Sequence, residues 1–149
     1  MSDREHIIKA VEFFYEDIIE KYKELERKVV NESRILTIFK KVDYKGRIIQ
    51  FKDFKKNAQK INLKNIKIDV QDDVSVEVKE KLEHCITVFC STIDAQVVFH
   101  TMLLMKSEGK KIPVIDYKKT AYNVHQATDG MQNALRALDA VYANLEENE

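Results

Sequence analysis

Residues 117–145 read YKKTAYNVHQATDGMQNALRALDAVYANL. Within this stretch Tyr117, Ala121, Val124, Thr128, Met131, Leu135, Leu138, Tyr142 and Leu145 recur at alternating intervals of four and three. That spacing keeps side chains on one face of an α-helix. Lys118, Lys119, Asn123, Gln126, Asp129, Gln132, Asn133, Arg136 and Asp139 all fall outside the seam. The pattern predicts one helix over 117–145, capped by Asp116, with the Met131, Leu135, Leu138 and Tyr142 edge buried. Gly130 lies off the seam and is a place for a local kink. A helix with one apolar stripe needs other helices to cover it, so the rest of the chain has to supply them.

The N-terminal stretch supplies the first. Ser2 and Glu5 have the spacing of a capping box. Ile8, Val11, Tyr15, Ile18, Tyr22, Leu25 and Val29 then continue an unbroken heptad seam. Ile7, Phe13, Phe14 and Ile19 widen the apolar face beyond a coiled-coil stripe. A third helix is expected from about Ser75 to Lys106, capped by Asp72 or Asp73. Ser91 to Asp94 has the form of a second capping box that could divide it. Gly109 suits the position after the helix end, and Pro113 suits a stop.

Residues 33–70 are ambiguous. Ser33 to Val42 reads as a short helix or as a strand, because Ile35, Thr37 and Ile38 are β-branched. Asp43 to Gly46 would then turn the chain into a return strand, Arg47 to Phe51. The balance favours a small β-hairpin within residues 35–51. Lys52 to Ile61 reads as a short helix and Asn62 to Val70 as an extended segment. The expected fold is mainly α: an antiparallel bundle of three long helices plus shorter elements, in one domain over 1–149.

Composition agrees with this class. Three Gly and one Pro in 149 residues are too few for the turns of a β-sandwich or barrel. The 44% hydrophobic content suffices for one core. The polar start argues against a signal peptide. The longest apolar run, Val97 to Met105, is nine residues against the roughly 20 of a spanning helix. The expectation is a cytoplasmic protein with no membrane partner. Cys85 and Cys90 diverge by about 140° on a helix, which rules out a disulfide between them there. They read as small apolar side chains in a reducing compartment.

The residues that carry chemistry are sparse. His6, His84, His100 and His125 share no metal-ligand spacing, no Glu-x-x-His pair occurs, and there is no Gly-rich phosphate loop or Gly-x-Ser-x-Gly elbow. No catalytic residue, metal or cofactor is assigned. His100 stands in the most apolar stretch of the chain. It reads as a hydrogen-bonded core histidine or as the polar point of an apolar-ligand pocket. His125 has Asp129 one turn on, the setting of a phosphoacceptor histidine, but lacks the Lys and Gly expected beside one. The net charge is zero, yet residues 40–67 hold ten basic residues against Asp43 and Asp53. Lys45, Arg47, Lys52, Lys55, Lys56 and Lys60, interleaved with Tyr44, Phe51 and Phe54, could grip a phosphate backbone. A solvated helix face explains the same lysines. The leading expectation is a non-enzymatic interaction or regulatory protein, coiled-coil-like, that pairs with itself as a homodimer or with another protein. The alternatives are a small nucleic-acid-binding regulator and an apolar-ligand-binding bundle.

Overall fold

The computed structural model describes residues 2–34 and 42–147. Among them the chain is mainly helical, with no strand. The first helical run comprises α1 (Asp3–Phe13), a π-helical turn (Phe14–Ile19) and α2 (Glu20–Arg34). It is followed by α3 (Tyr44–Gln59), α4 (Asp73–Ser107) and α5 (Val114–Glu147), so the described residues form four long helical runs.

The helix ends follow from local chemistry. The Ser2 hydroxyl accepts the Glu5 N–H at 3.2 Å. Asp72 caps α4, accepting the Ser75 N–H at 3.2 Å and the Ser75 hydroxyl at 2.6 Å. These bonds favour the carboxylate and hold its pKa below the ordinary value. At the far end of α4, Gly109 has φ of 88°. Its N–H reaches the Lys106 carbonyl at 3.1 Å, and Lys110 N–H reaches Met105 at 3.0 Å. That pair of bonds is a Schellman motif, which needs a left-handed residue at Gly109. Pro113 starts α5 rather than stopping anything. Its carbonyl accepts from both Asp116 and Tyr117 N–H at 3.1 Å, so the helix begins two residues before the expected Asp116 cap. Ser91 to Asp94 lies within α4, which is not divided there.

The return strand expected at Arg47 to Phe51 does not form; these residues lie in α3. The first strand of that hairpin falls mostly on residues 35–41, outside the described residues. The correction has a physical cause. Asp43, expected in a β-turn, instead caps a helix by accepting the Gly46 N–H at 2.9 Å. From there Arg47, Phe51, Phe54 and Ala58 repeat at three- and four-residue intervals and face inward. Arg47, Phe51 and Ala58 are buried, and Phe54 packs against the core. The segment after α3 holds a single 3-10 turn, Leu63–Asn65, and no strand. Lys79 anchors it by donating to the Ile66 carbonyl at 3.0 Å.

The first helical run departs from its heptad seam in an instructive way. Ile7, Val11, Phe14, Ile18 and Tyr22 are all fully buried or nearly so, while Ile8 and Tyr15 are only partly covered. The π turn, where the Glu20 N–H bonds back to the Tyr15 carbonyl, takes in an extra residue. The inward face is rephased by that residue, which also turns Ile19 into the core.

The core holds α1, the π turn, the start of α2, α3, the first half of α4 and the second half of α5. Aromatic rings knit it together. Phe14 meets Phe89 edge-on at 5.9 Å, and Tyr22 meets Phe89 at 5.4 Å and Phe51 at 6.1 Å. Each such pair adds about 0.5–1.5 kcal/mol beyond the area it buries. Polar links fix the register. Cys85 Sγ donates to the Ala134 carbonyl at 3.0 Å and Thr92 to Ala127 at 3.1 Å, so α4 and α5 run antiparallel. The Tyr15 hydroxyl donates to the Asp139 carboxylate, and burial first, then that carboxylate, raises its pKa. Burial also pushes the Cys85 thiol up to about 12, which suits an inert packing residue.

By length and composition, α4 could cross a membrane, with a mean hydropathy of 1.4 over its most apolar 18 residues. The nine-residue criterion missed this because single polar residues interrupt a longer apolar window. Val78, Leu82, Phe89 and Ile93 of that helix are spent on the core described above.

Candidate functional site

His100 is fully buried on α4. Its Nδ1 lies 2.9 Å from the Gln96 carbonyl. A carbonyl only accepts, so Nδ1 carries the proton and Nε2 is left as a lone-pair acceptor. Nε2 is buried and has no partner among the described residues. Burial is the main force holding the imidazole pKa below its ordinary value, opposed by the Gln96 bond and helped by the nearby Arg47 charge. The ring is thus neutral, with an acceptor unmet among the described residues.

His100 lines a cleft of about 350 Å³ between α2, α3, α4 and α5. Val29 from α2, Phe51 from α3, Phe99 from α4 and Ala121 and Val124 from α5 form its apolar walls. The Phe51 ring stacks obliquely on His100 at 4.8 Å and Phe99 meets it edge-on at 5.8 Å. Phe99 in turn touches Tyr117 at 5.6 Å. Glu26 also lines the cleft, and its Oε2 is a second buried acceptor without a partner among the described residues. Behind it, Gln96 Nε2 donates to the Tyr22 hydroxyl at 3.1 Å. The phenol is bonded to Glu26 as well, and its pKa is raised, mainly by burial and then by the Glu26 charge.

Grooves of about 440 and 580 Å³ lie along α2–α3 and beside Leu63. Exposed Lys21, Glu24, Lys60 and Glu83 stand among their walls, as in ordinary solvated creases.

The sequence singled out His100 but not its surroundings. In sequence Phe51 belongs to an expected strand and a basic segment. Glu26 has a signal of its own in sequence: it sits among Tyr22, Leu25 and Val29 on the seam side of its helix, where a carboxylate meets the core rather than water.

The basic segment is distributed differently from the expected patch. Lys45, Lys52, Lys56 and Lys60 are exposed along one outward stripe of α3 and its end. Arg47 turns inward and pairs with Glu32, and burial lowers its pKa. Lys55 bonds Asp94 at 2.7 Å. Phe51 is buried and Phe54 packs on the core, so neither offers a stacking face for a base. His125 is largely exposed, with Asp129 3.5 Å away. Among the described residues, no three His, Cys, Asp or Glu side chains gather as a metal site would require.

No protein-family model matches the chain, and no curated protein or solved structure matches it.

Proposed function

We propose that this is a non-catalytic, ligand-binding helical bundle with a regulatory or interaction role, and that its ligand occupies the cleft beside His100. One observation carries the reading. A fully buried histidine whose Nε2 has no partner among the described residues lines an apolar cleft. Leaving a buried acceptor unpaired costs about 1–3 kcal/mol, and a ligand that supplies a donor removes that cost. Apolar walls with a few convergent polar groups, in a space of this size, are what small-molecule sites have in common. The bundle itself we take to be built on three long rods, with α1, the π turn and α2 acting as one and α5 antiparallel to it.

Titration of the full chain with an apolar fluorescent dye such as Nile red tests the reading. Saturable binding of one dye per chain is expected, lost in Ala121→Phe, which fills the cleft. Binding that ignores this substitution, or no saturable binding, overturns it.

A second reading, self-association, rests on the outer end of the α4–α5 pair. Val98, Val114, Ile115 and Tyr122 are all more than half exposed there. Such apolar surface on neighbouring turns is a feature of interaction sites.

A further inference from the structure

We infer that the turn joining α4 to α5 is a peripheral membrane contact, in which Val114 and Ile115 enter the edge of an anionic bilayer and the lysines around them meet its headgroups. Residues 106–119 read KSEGKKIPVIDYKK, five lysines against Glu108 and Asp116. All five lysines are exposed. Lys106 lies over the Tyr117 ring at 5.5 Å. Lys110, Lys111, Lys118 and Lys119 form no ion pair among the described residues. Between the two lysine pairs, Val114 is 69% and Ile115 75% exposed. Ile115, Lys118, Lys119 and Tyr122 fall on one face of α5 by their spacing. Tyr122, 60% exposed, therefore stands about 10 Å along the helix from Ile115, at the depth where interfacial tyrosines sit. Apolar side chains ringed by unpaired cations match a surface that is apolar within and anionic at its rim. The other exposed apolar residues lack this setting: Val70 stands alone near Asp69, Asp72 and Asp73.

The charge of the whole rod favours the same orientation. Arg4 donates to the Leu145 carbonyl at 3.2 Å, which puts Asp3 and Glu5 beside Glu146 and Glu147 at the opposite end of α5. That end is about 45 Å from Ile115 by helical rise, well beyond the screening length of about 8 Å in physiological salt. The acidic end thus does not cancel the basic turn, and an anionic surface attracts the turn while repelling the other end. A second copy docking by its own turn would set lysines against lysines. A partner helix would need a groove, and none of the clefts described above is lined by residues 106–119.

Co-sedimentation of the full chain with phosphatidylcholine vesicles, with and without about one-third phosphatidylserine, tests the contact. Binding is expected to the anionic vesicles, at least about tenfold tighter than to the neutral ones, and to weaken as salt is raised. Lys110→Gln together with Lys111→Gln should weaken it by roughly 25-fold, about fivefold per lysine. Ile115→Ser should weaken it by about tenfold through lost apolar burial. Lys52→Gln together with Lys56→Gln, on the exposed stripe of α3, should bind as the parent does. No preference for phosphatidylserine, or a loss as large in the α3 variant as in the turn variant, overturns the membrane contact. An Ile115→Ser variant that binds as tightly as the parent overturns the entry of the apolar residues. If the turn instead joins two copies, the parent sediments as a dimer without lipid, Ile115→Ser dissociates it and vesicles stay free of protein, which also overturns it.

Discussion

The two halves of α5 share one seam and have different fates. In the second half Met131, Leu135, Leu138 and Leu145 are buried, Leu138 and Leu145 completely. In the first half Ala121, Val124 and Thr128 are only half-covered and Tyr117 is exposed. The letters keep the same four-three rhythm throughout. What differs is the third partner. The second half lies against both α4 and the α1–π segment, as the Cys85–Ala134 and Tyr15–Leu135 bonds show. The first half keeps α4 but meets the cleft where a further layer would be. Periodicity thus specifies which face of a helix is apolar, and a second neighbour decides whether that face is dry.

The comparison can be broken most easily at Leu138. Leu138→Ala should destabilise the protein by about 2–5 kcal/mol, with Leu135→Ala close behind, as for any fully buried leucine. Val124→Ala, half-covered, should cost about 1 kcal/mol or less. Urea unfolding of the three variants checks the ranking, and equal losses would erase the distinction between the halves. Ala134→Leu is next in size. Ala134 is buried and its carbonyl accepts from Cys85 across the α4–α5 contact. Overpacking there should cost about 1–3 kcal/mol, measured in the same way.

Gly130→Ala should act in the opposite direction. Nothing lies within 4 Å of the position a Cβ would take, and its φ is not in the left-handed region. Removing the glycine penalty from a helix interior should stabilise by about 1 kcal/mol, visible as a raised melting temperature. A loss of stability would mean that the helix bends at this point.

The His100 ring extends the comparison to pH. Its folded pKa lies below the ordinary 6.5, so the unfolded chain takes up a proton before the native protein does. The native state therefore has this contribution in full above pH 6.5 and loses it as the pH falls toward the folded pKa. Melting temperatures between pH 7.5 and 5 should fall more steeply for the parent than for His100→Phe. Parallel curves would mean that the ring is not held neutral.

How much of this was legible beforehand depends on the length of each run. The 117–145 seam is long enough for its face to be read, and the structure buries three of the four residues named on its edge, with Tyr142 half-covered. In the 43–59 stretch the helix was legible from Lys52 onward but not over its first half, which is too short to read alone. Its β-branched and aromatic residues suit either state, and the deciding fact is an Asp43 cap that looks the same as a turn residue in sequence. The π turn was not legible, since it reveals itself only as a shift in which isoleucines are covered. At the site, His100 was visible as a polar letter in an apolar helix. Its neighbours Glu26 and Phe51 come from 74 and 49 residues away in the chain, and no local pattern links them to it.

The smallest expected effect on stability is at the outer end of the α4–α5 pair. Ile115 is 75% exposed, so Ile115→Ser should change stability by no more than about 0.5 kcal/mol in a monomer. The same substitution bears strongly on self-association. If Val98, Val114, Ile115 and Tyr122 form a contact between two copies, the parent should sediment as a dimer at micromolar concentration and Ile115→Ser should shift it toward monomer. Its melting temperature should then depend on protein concentration in the parent and less so in the variant. A parent that sediments as a monomer throughout removes the homodimer from the second reading. The half-covered part of α5 would then be explained by the cleft alone, whose walls Ala121 and Val124 must stay open for a ligand to enter.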